Sequence, residues 1–230
     1  MALSIGNSLL NIYVAPTTLF DTLKSERGRS LLPLFLIIAI SFASILYFYS
    51  GMSTEWLVEQ QMLQAQDTSP AEMEQMRVFI EESASGLGWM GAVFNVIYTL
   101  IMISALSGYF KLLSYKQPQY RYVDWFRFTV WTQMPTVIYM LGFMALIATS
   151  NTADLPLNLL NYASLNQVAL HLPFGHGLFT WAETLNLFFI WSIALSALGL
   201  HSWLQLSLLR SAVLAAFPYI ATFTVWALLA

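Results

Sequence analysis

The chain has 230 residues, of which 58% are hydrophobic and only 9% charged, with a mean hydropathy of +0.64. Soluble domains carry roughly a quarter charged residues, so this chain cannot clothe a water-facing surface. Its net charge of −3 comes without a basic stripe, which argues against a nucleic-acid partner, and with no Cys it has neither disulfides, thiol catalysis nor thiolate metal sites.

Residues 1–30 read as a short amphipathic segment on the cytoplasmic face. Leu3, Leu9, Leu10 and Tyr13 fit a helical stripe that Pro16 ends. Thr17 then starts a second helix that sets Leu19, Phe20 and Leu23 on the membrane. The stretch is a poor leader peptide, because Pro16 and polar residues interrupt it and its cations come last, so the first span is expected to stay as an anchor.

Five apolar runs follow, each about long enough for the ~30 Å hydrocarbon core. They cover roughly residues 31–49, 88–112, 126–149, 178–200 and 211–230. The long polar loop 50–87 is expected to be an extracytoplasmic helical hairpin. One helix covers Thr54 to Gln66, and Ser69-Pro70-Ala71-Glu72 is a capping box that opens the next. Between the third and fourth runs, Leu157, Leu160, Leu165 and Leu172 suggest a helix lying flat on the outer surface. Trp89, Trp125, Trp181 and Trp203 fall near span ends, as aromatic belts do.

Charge sets the orientation. Lys24, Arg27 and Arg29 precede the first run, Lys111, Lys116, Arg121 and Arg127 fall around the second connection, and Arg210 lies before the fifth run. The other two connections carry only Arg77, against Glu55, Glu59, Asp67, Glu72, Glu74, Glu81, Glu82 and Asp154. Cationic loops are retained in the cytoplasm, which gives an all-α bundle of five transmembrane helices, one domain over 1–230, with its N-terminus inside and C-terminus outside.

Few residues suggest chemistry. Glu183 is the one acid inside an expected span, with Asn186 three residues on and Asn95 at similar depth in the second span. The three form a candidate polar cluster under the outer interface. Such a group is read either as structural glue reaching Asn95 or the headgroups, or as part of a proton or ion path. Pro135 and Pro218 are expected helix kinks. Ser104 with Gly108, and Ser192 with Ser196, are small-xxx-small faces where helices approach closely. His171 and His176 flank a Pro-Phe-Gly turn without a third ligand, so no metal site and no cofactor is expected. No hydrolase, zincin, P-loop or dinucleotide motif occurs, and no enzymatic activity is expected.

Several short features run in order along most of the chain. Pro16 is followed by Phe20 and Leu23, and Lys111–Tyr120 leads into a Tyr-, Trp- and Phe-bearing approach to the third span. Gln133 and Pro135 come next, then Ile190-Trp191, Leu198-Gly199-Leu200 and Arg210. On these the chain resembles the Yip family, the Ypt- or Rab-interacting membrane proteins. The resemblance implies a helical bundle without enzymatic activity. Eukaryotic members act in vesicle trafficking and carry a longer cytoplasmic N-terminal region, so this chain looks like a bacterial member in the inner membrane. Some bacterial relatives accompany ABC-type exporters, which implies an accessory or scaffold role, with the bilayer, other membrane proteins or a second copy as partners. The alternative reading is a small transporter or channel built on Glu183. The orientation has a direct test: a reporter active only in the cytoplasm should be active when fused at residue 116 and silent at residue 66, and the reverse pattern would overturn it.

Overall fold

The computed structural model describes residues 5–25, 31–64 and 69–230. The expectations at Leu3, Arg27, Arg29 and Asp67 lie outside them. Ten α-helices are described: α1 Ile5–Val14, α2 Pro16–Ser25, α3 Leu31–Ser50, α4 Thr54–Gln64, α5 Pro70–Leu113, α6 Tyr122–Thr132, α7 Pro135–Ala148, α8 Phe179–Thr184, α9 Phe188–Leu204 and α10 Leu208–Leu229. Among the described residues the only β pairing is one isolated antiparallel bridge.

Among the described residues four stretches are long and apolar enough to cross a membrane: α3 from Leu32, α5, Tyr122–Ala148 and α10, while α9 is a shorter apolar helix of 17 residues. Of the apolar window in α10 only 6% is buried, and Leu209, Phe217, Ile220 and Leu228 stand exposed along it. A helix that presents such a face is solvated by lipid.

The expected outer hairpin and second span are not separate elements on the C-terminal side. The capping box forms as anticipated, with Glu72 Oε2 accepting from Ser69 N at 3.0 Å and from Ser69 Oγ at 2.6 Å. These bonds hold the Glu72 carboxyl below its usual range. From there α5 runs unbroken for 44 residues, about 66 Å at 1.5 Å per residue, roughly twice the hydrocarbon thickness.

The expected fourth span, 178–200, is not one helix either. It stops at Thr184 and resumes at Phe188. The flat outer helix is likewise replaced by a 3₁₀ turn at Leu157–Asn161 and a π turn at Asn166–Leu170.

The chain divides into two compact units. One comprises residues up to Ala39, Ile97–Ile138 and Phe188–Val225. Its core is an aromatic cluster: Trp203 lies 5.1 Å, ring to ring, from each of Tyr120, Trp125 and Phe128, and Phe20 lies 5.3 Å from Phe128. Tyr120 Oη donates to the Trp203 carbonyl, Trp203 Nε1 to the Phe20 carbonyl, and Trp125 Nε1 to Ser114 Oγ. A Cβ at Gly199 would collide with the Phe128 ring, so glycine is what lets α9 close on it. The membrane docking expected for α2 is corrected here. Leu19, Phe20 and Leu23 are buried in protein, because α2 packs along α9 and delivers Phe20 to the cluster.

Each proline denies a helical carbonyl its usual donor, and a tyrosine of this unit hydrogen-bonds the backbone at each site. Pro135 starts α7, and the Trp131 carbonyl it denies a partner accepts instead from Met134 N at 3.2 Å. Tyr13 Oη donates to the Met134 carbonyl at 2.9 Å; burial pushes its phenol up to about 12, so it remains a donor. Pro218 sits inside a continuous α10, and the carbonyl four residues before it, Leu214, accepts from Tyr109 Oη at 2.9 Å. The close-packing faces are divided. Ser192 and Ser196 are buried, but Ser104 is half-buried and a Cβ at Gly108 would meet nothing within 4 Å. The buried small residue of that stretch is Ser107, one position away.

The second unit comprises Ile40–Val96, Tyr139–Leu187 and Trp226–Ala230. In it α3 and α5 run antiparallel in contact, Gly88 against Tyr49 and Gly91 against Ile45.

The Tyr109 reading predicts a coupling. Tyr109→Phe should cost about 1–3 kcal/mol by orphaning the Leu214 carbonyl. In a Pro218→Ala background, where residue 218 regains its N–H, that cost should fall by at least about 1 kcal/mol in a thermal-unfolding double-mutant cycle. Equal costs in both backgrounds would refute the assignment.

Candidate functional site

The candidate site lies in the second unit, where the chain between α7 and α8 folds back on itself. Asp154 anchors its start, accepting from Ser53 N at 2.7 Å and Ser53 Oγ at 3.2 Å, while Trp56 Nε1 donates to the Leu155 carbonyl. Tyr162 then stacks on Tyr139, ring centroids 4.9 Å apart and nearly parallel. Its hydroxyl donates to the Tyr139 carbonyl, and Tyr139 Oη donates to the Leu160 carbonyl. A Cβ at Gly142 would collide with the Tyr162 hydroxyl, so this glycine admits the stack.

Beyond Tyr162 the backbone pairs with the break in the expected fourth span. Leu165 N donates to the Leu185 carbonyl at 2.7 Å, Leu187 N donates to the Ala163 carbonyl at 3.0 Å, and Ser164 and Asn186 face one another between these bonds. The break is therefore a short antiparallel pairing that supplies partners the helix gave up.

Glu183 sits one residue before the end of α8 and is 5% exposed. Its Oε1 accepts from Asn166 Nδ2 at 2.9 Å and from Gln167 Nε2 at 2.6 Å. Asn166 is itself fixed, since its Oδ1 accepts from Leu172 N at 2.7 Å. The π turn that carries these two amides ends at His171 in a left-handed conformation, φ 51°. Glu183 Oε2 is buried and has no hydrogen-bond partner among the described residues.

The cluster expected from sequence is thus rearranged. Asn186 stands three residues from Glu183 but belongs to the backbone pairing with Ser164, and its side chain hydrogen-bonds the Tyr139 hydroxyl. Asn95, on α5, makes no hydrogen bond to Glu183, and its Oδ1 is buried without a partner. The partners that hold Glu183 are Asn166 and Gln167. Adjacent amides in an apolar stretch mark them in the sequence, but only the non-local pairing of 163–165 with 185–187 brings them to the carboxylate. His171 and His176 are exposed on the loop, and no group of three metal-ligating side chains is found among the described residues.

A second feature lies on the polar arm. A groove of about 450 Å³ opens between α4 and the start of α5, lined by Glu55, Val58, Glu59, Met62, Leu63, Arg77 and Glu81. Its rim is acidic and its floor apolar. Arg77 is 3.9 Å from Glu74, both largely exposed, an ion pair of little energetic weight.

The Yip1 domain matches residues 10–229. The chain belongs to the Yip1 family. No curated protein and no solved structure matches it. As a Yip1-domain protein it is a multi-pass membrane protein in contact with the bilayer, in a trafficking-type family that is not a known enzyme family. The matched residues include the candidate site at Glu183, the groove between α4 and α5 and the aromatic core.

Proposed function

We propose that this Yip1-domain protein is a non-enzymatic membrane scaffold or accessory subunit whose outer arm receives a partner, in the bacterial inner membrane and beside an ABC-type export complex. The observation that carries this reading is the acidic, apolar-floored groove on an arm that outruns the bilayer. A 44-residue helix needs only about 20 of its residues to cross, and the remainder of α5 extends a surface beyond the membrane. That surface has unpaired acids at its rim and exposed Val78 and Phe79 beside them, the composition of a contact face rather than of a catalytic cleft.

The proposal takes the whole chain as one Yip-like membrane domain crossing five times, N-terminus inside and C-terminus outside, with α4 and the start of α5 as an extracytoplasmic hairpin. Four crossings are α3, α5, α6 with α7, and α10; the remaining one is the interrupted α8–α9 stretch. That stretch is too short as α9 alone, about 25 Å, and reaches full length only with α8. Ser192 and Ser196, buried on α9, supply its close-packing face.

A second reading, a small transporter or channel, draws support from one observation: a buried carboxylate with an unpartnered oxygen at a break in a membrane-length segment. Discontinuous helices of this kind hold coupling ions in secondary transporters. The five crossings leave one helix without a mate for an inverted repeat, which places this reading second.

Purification of the native protein in mild detergent with mass spectrometry separates the two. A scaffold should bring a stoichiometric membrane partner that is lost when Glu59→Lys and Glu81→Lys reverse the groove's charge. A chain that purifies alone and moves solute in liposomes would overturn the scaffold reading in favour of the second.

A further inference from the structure

We propose that Glu183 binds a single alkali-metal cation, with Oε2 as its charged ligand. The inference takes its place from the second reading above but not its function, since an ion that is bound and never crosses the membrane satisfies it equally.

Oε1 is saturated by two amide donors, and these lock the side chain so that Oε2 cannot rotate into their place. Oε2 remains buried with no donor, on a residue that is 5% exposed. A buried carboxylate needs positive charge or donors on both oxygens, and leaving one bare is strongly unfavourable. No ion pair reaches Glu183 among the described residues. The two nearby histidines are engaged elsewhere: His171 Nδ1 meets the Ala169 carbonyl and His176 Nδ1 accepts from Leu178 N, both exposed.

The remaining unsatisfied atoms of this unit point to the same chemistry. Among its described residues the buried side-chain atoms without a partner are Glu183 Oε2 and Asn95 Oδ1, both oxygens. A bare carboxylate oxygen is satisfied by a cation or by a hydrogen-bond donor, and no donor reaches Oε2 among the described residues. The helix break adds to the supply, because Leu187 N turns to the Ala163 carbonyl and so leaves the carbonyl of Glu183 outside the i+4 ladder. Unwound carbonyls beside a carboxylate are the ligand type that Na⁺ takes in broken membrane helices. The charge selects a monovalent ion. One carboxylate neutralises one positive charge, whereas Ca²⁺ or Mg²⁺ draws on more acidic ligands than the single one here.

The test is thermal unfolding of the full-length protein in detergent, in NaCl, KCl, LiCl and choline chloride at equal ionic strength. One alkali chloride should raise the Tm over choline by about 5 °C or more when the cation is near a hundred times its dissociation constant. Glu183→Gln should abolish that difference while the variant still unfolds cooperatively. Should Glu183→Gln fail to fold, ²²Na⁺ binding to the wild-type protein decides: about one ion per chain, displaced by unlabelled alkali cation and not by choline, supports the site. Identical melting in all four salts with no saturable ²²Na⁺ binding overturns it, as does an alkali-specific shift that persists in Glu183→Gln. Flux in liposomes, measured on the same preparation, separately decides the transport reading: saturable binding without flux leaves the cation site standing and removes the transporter.

Discussion

Lipid offers no hydrogen bonds, so each backbone N–H and C=O that leaves a helix inside the membrane must find its partner within the protein. Most of what is irregular in this Yip1-domain chain follows from that constraint. Pro218 would orphan the Leu214 carbonyl, and Tyr109 donates to it. Pro135 divides α6 from α7, and Met134 N with Tyr13 Oη restores the junction. The break at 185–187 is the largest departure, and it is closed by strand-like pairing to 163–165, not by a side chain. Each irregularity is thus tied to a residue far away in sequence.

The same logic extends from backbone to side chains. Around Trp203 every polar tip of an aromatic residue finds a carbonyl or hydroxyl: Tyr120 to Trp203, Trp203 to Phe20, Trp125 to Ser114. That cluster needs close backbone approach, which Gly199 allows on α9. Glu183 is only half satisfied. Asn166 and Gln167 satisfy one of its oxygens, while the other is bare, and it stands beside a helix break. Polar groups left incomplete where the surroundings are otherwise complete are where function is to be sought.

Much of this was legible in the sequence, and the part that was not has a physical reason. Apolar run length marked α3 and α10 closely, and Ser69-Pro70-x-Glu72 marked the start of α5 to the residue, because hydrophobic length and capping are local properties. The Yip resemblance agrees with the family match over residues 10–229. Run length also joined α8 to α9, since Leu185-Asn186-Leu187 contains no Gly or Pro to announce a break. What makes the break tolerable is Ala163-Ser164-Leu165, about twenty residues upstream, and no local pattern encodes that pairing. The amides that bond Glu183, Asn166 and Gln167, escape local pattern in the same way: depth along a helix is computable from sequence, but azimuth and the course of a connecting loop are not. The amphipathic stripe of α2 was read correctly as apolar and wrongly as membrane-facing, because a stripe says nothing of whether lipid or α9 will cover it.

The arrangement around Glu183 rests on the pairing of 163–165 with 185–187, and the absence of cysteine from the chain gives that pairing a clean test. Ser164 and Asn186 face one another between the two flanking backbone bonds, the non-hydrogen-bonded position of an antiparallel pair, where Cα atoms come within about 4.5 Å. That separation suits a disulfide. The variant carrying Ser164→Cys and Asn186→Cys should form an intramolecular disulfide in native membranes under mild oxidation, read as a mobility shift that reductant reverses and that neither single substitution gives. Failure of the two thiols to join in an otherwise folded protein would mean that the segment is a continuous helix, and the arrangement around Glu183 would fall with it.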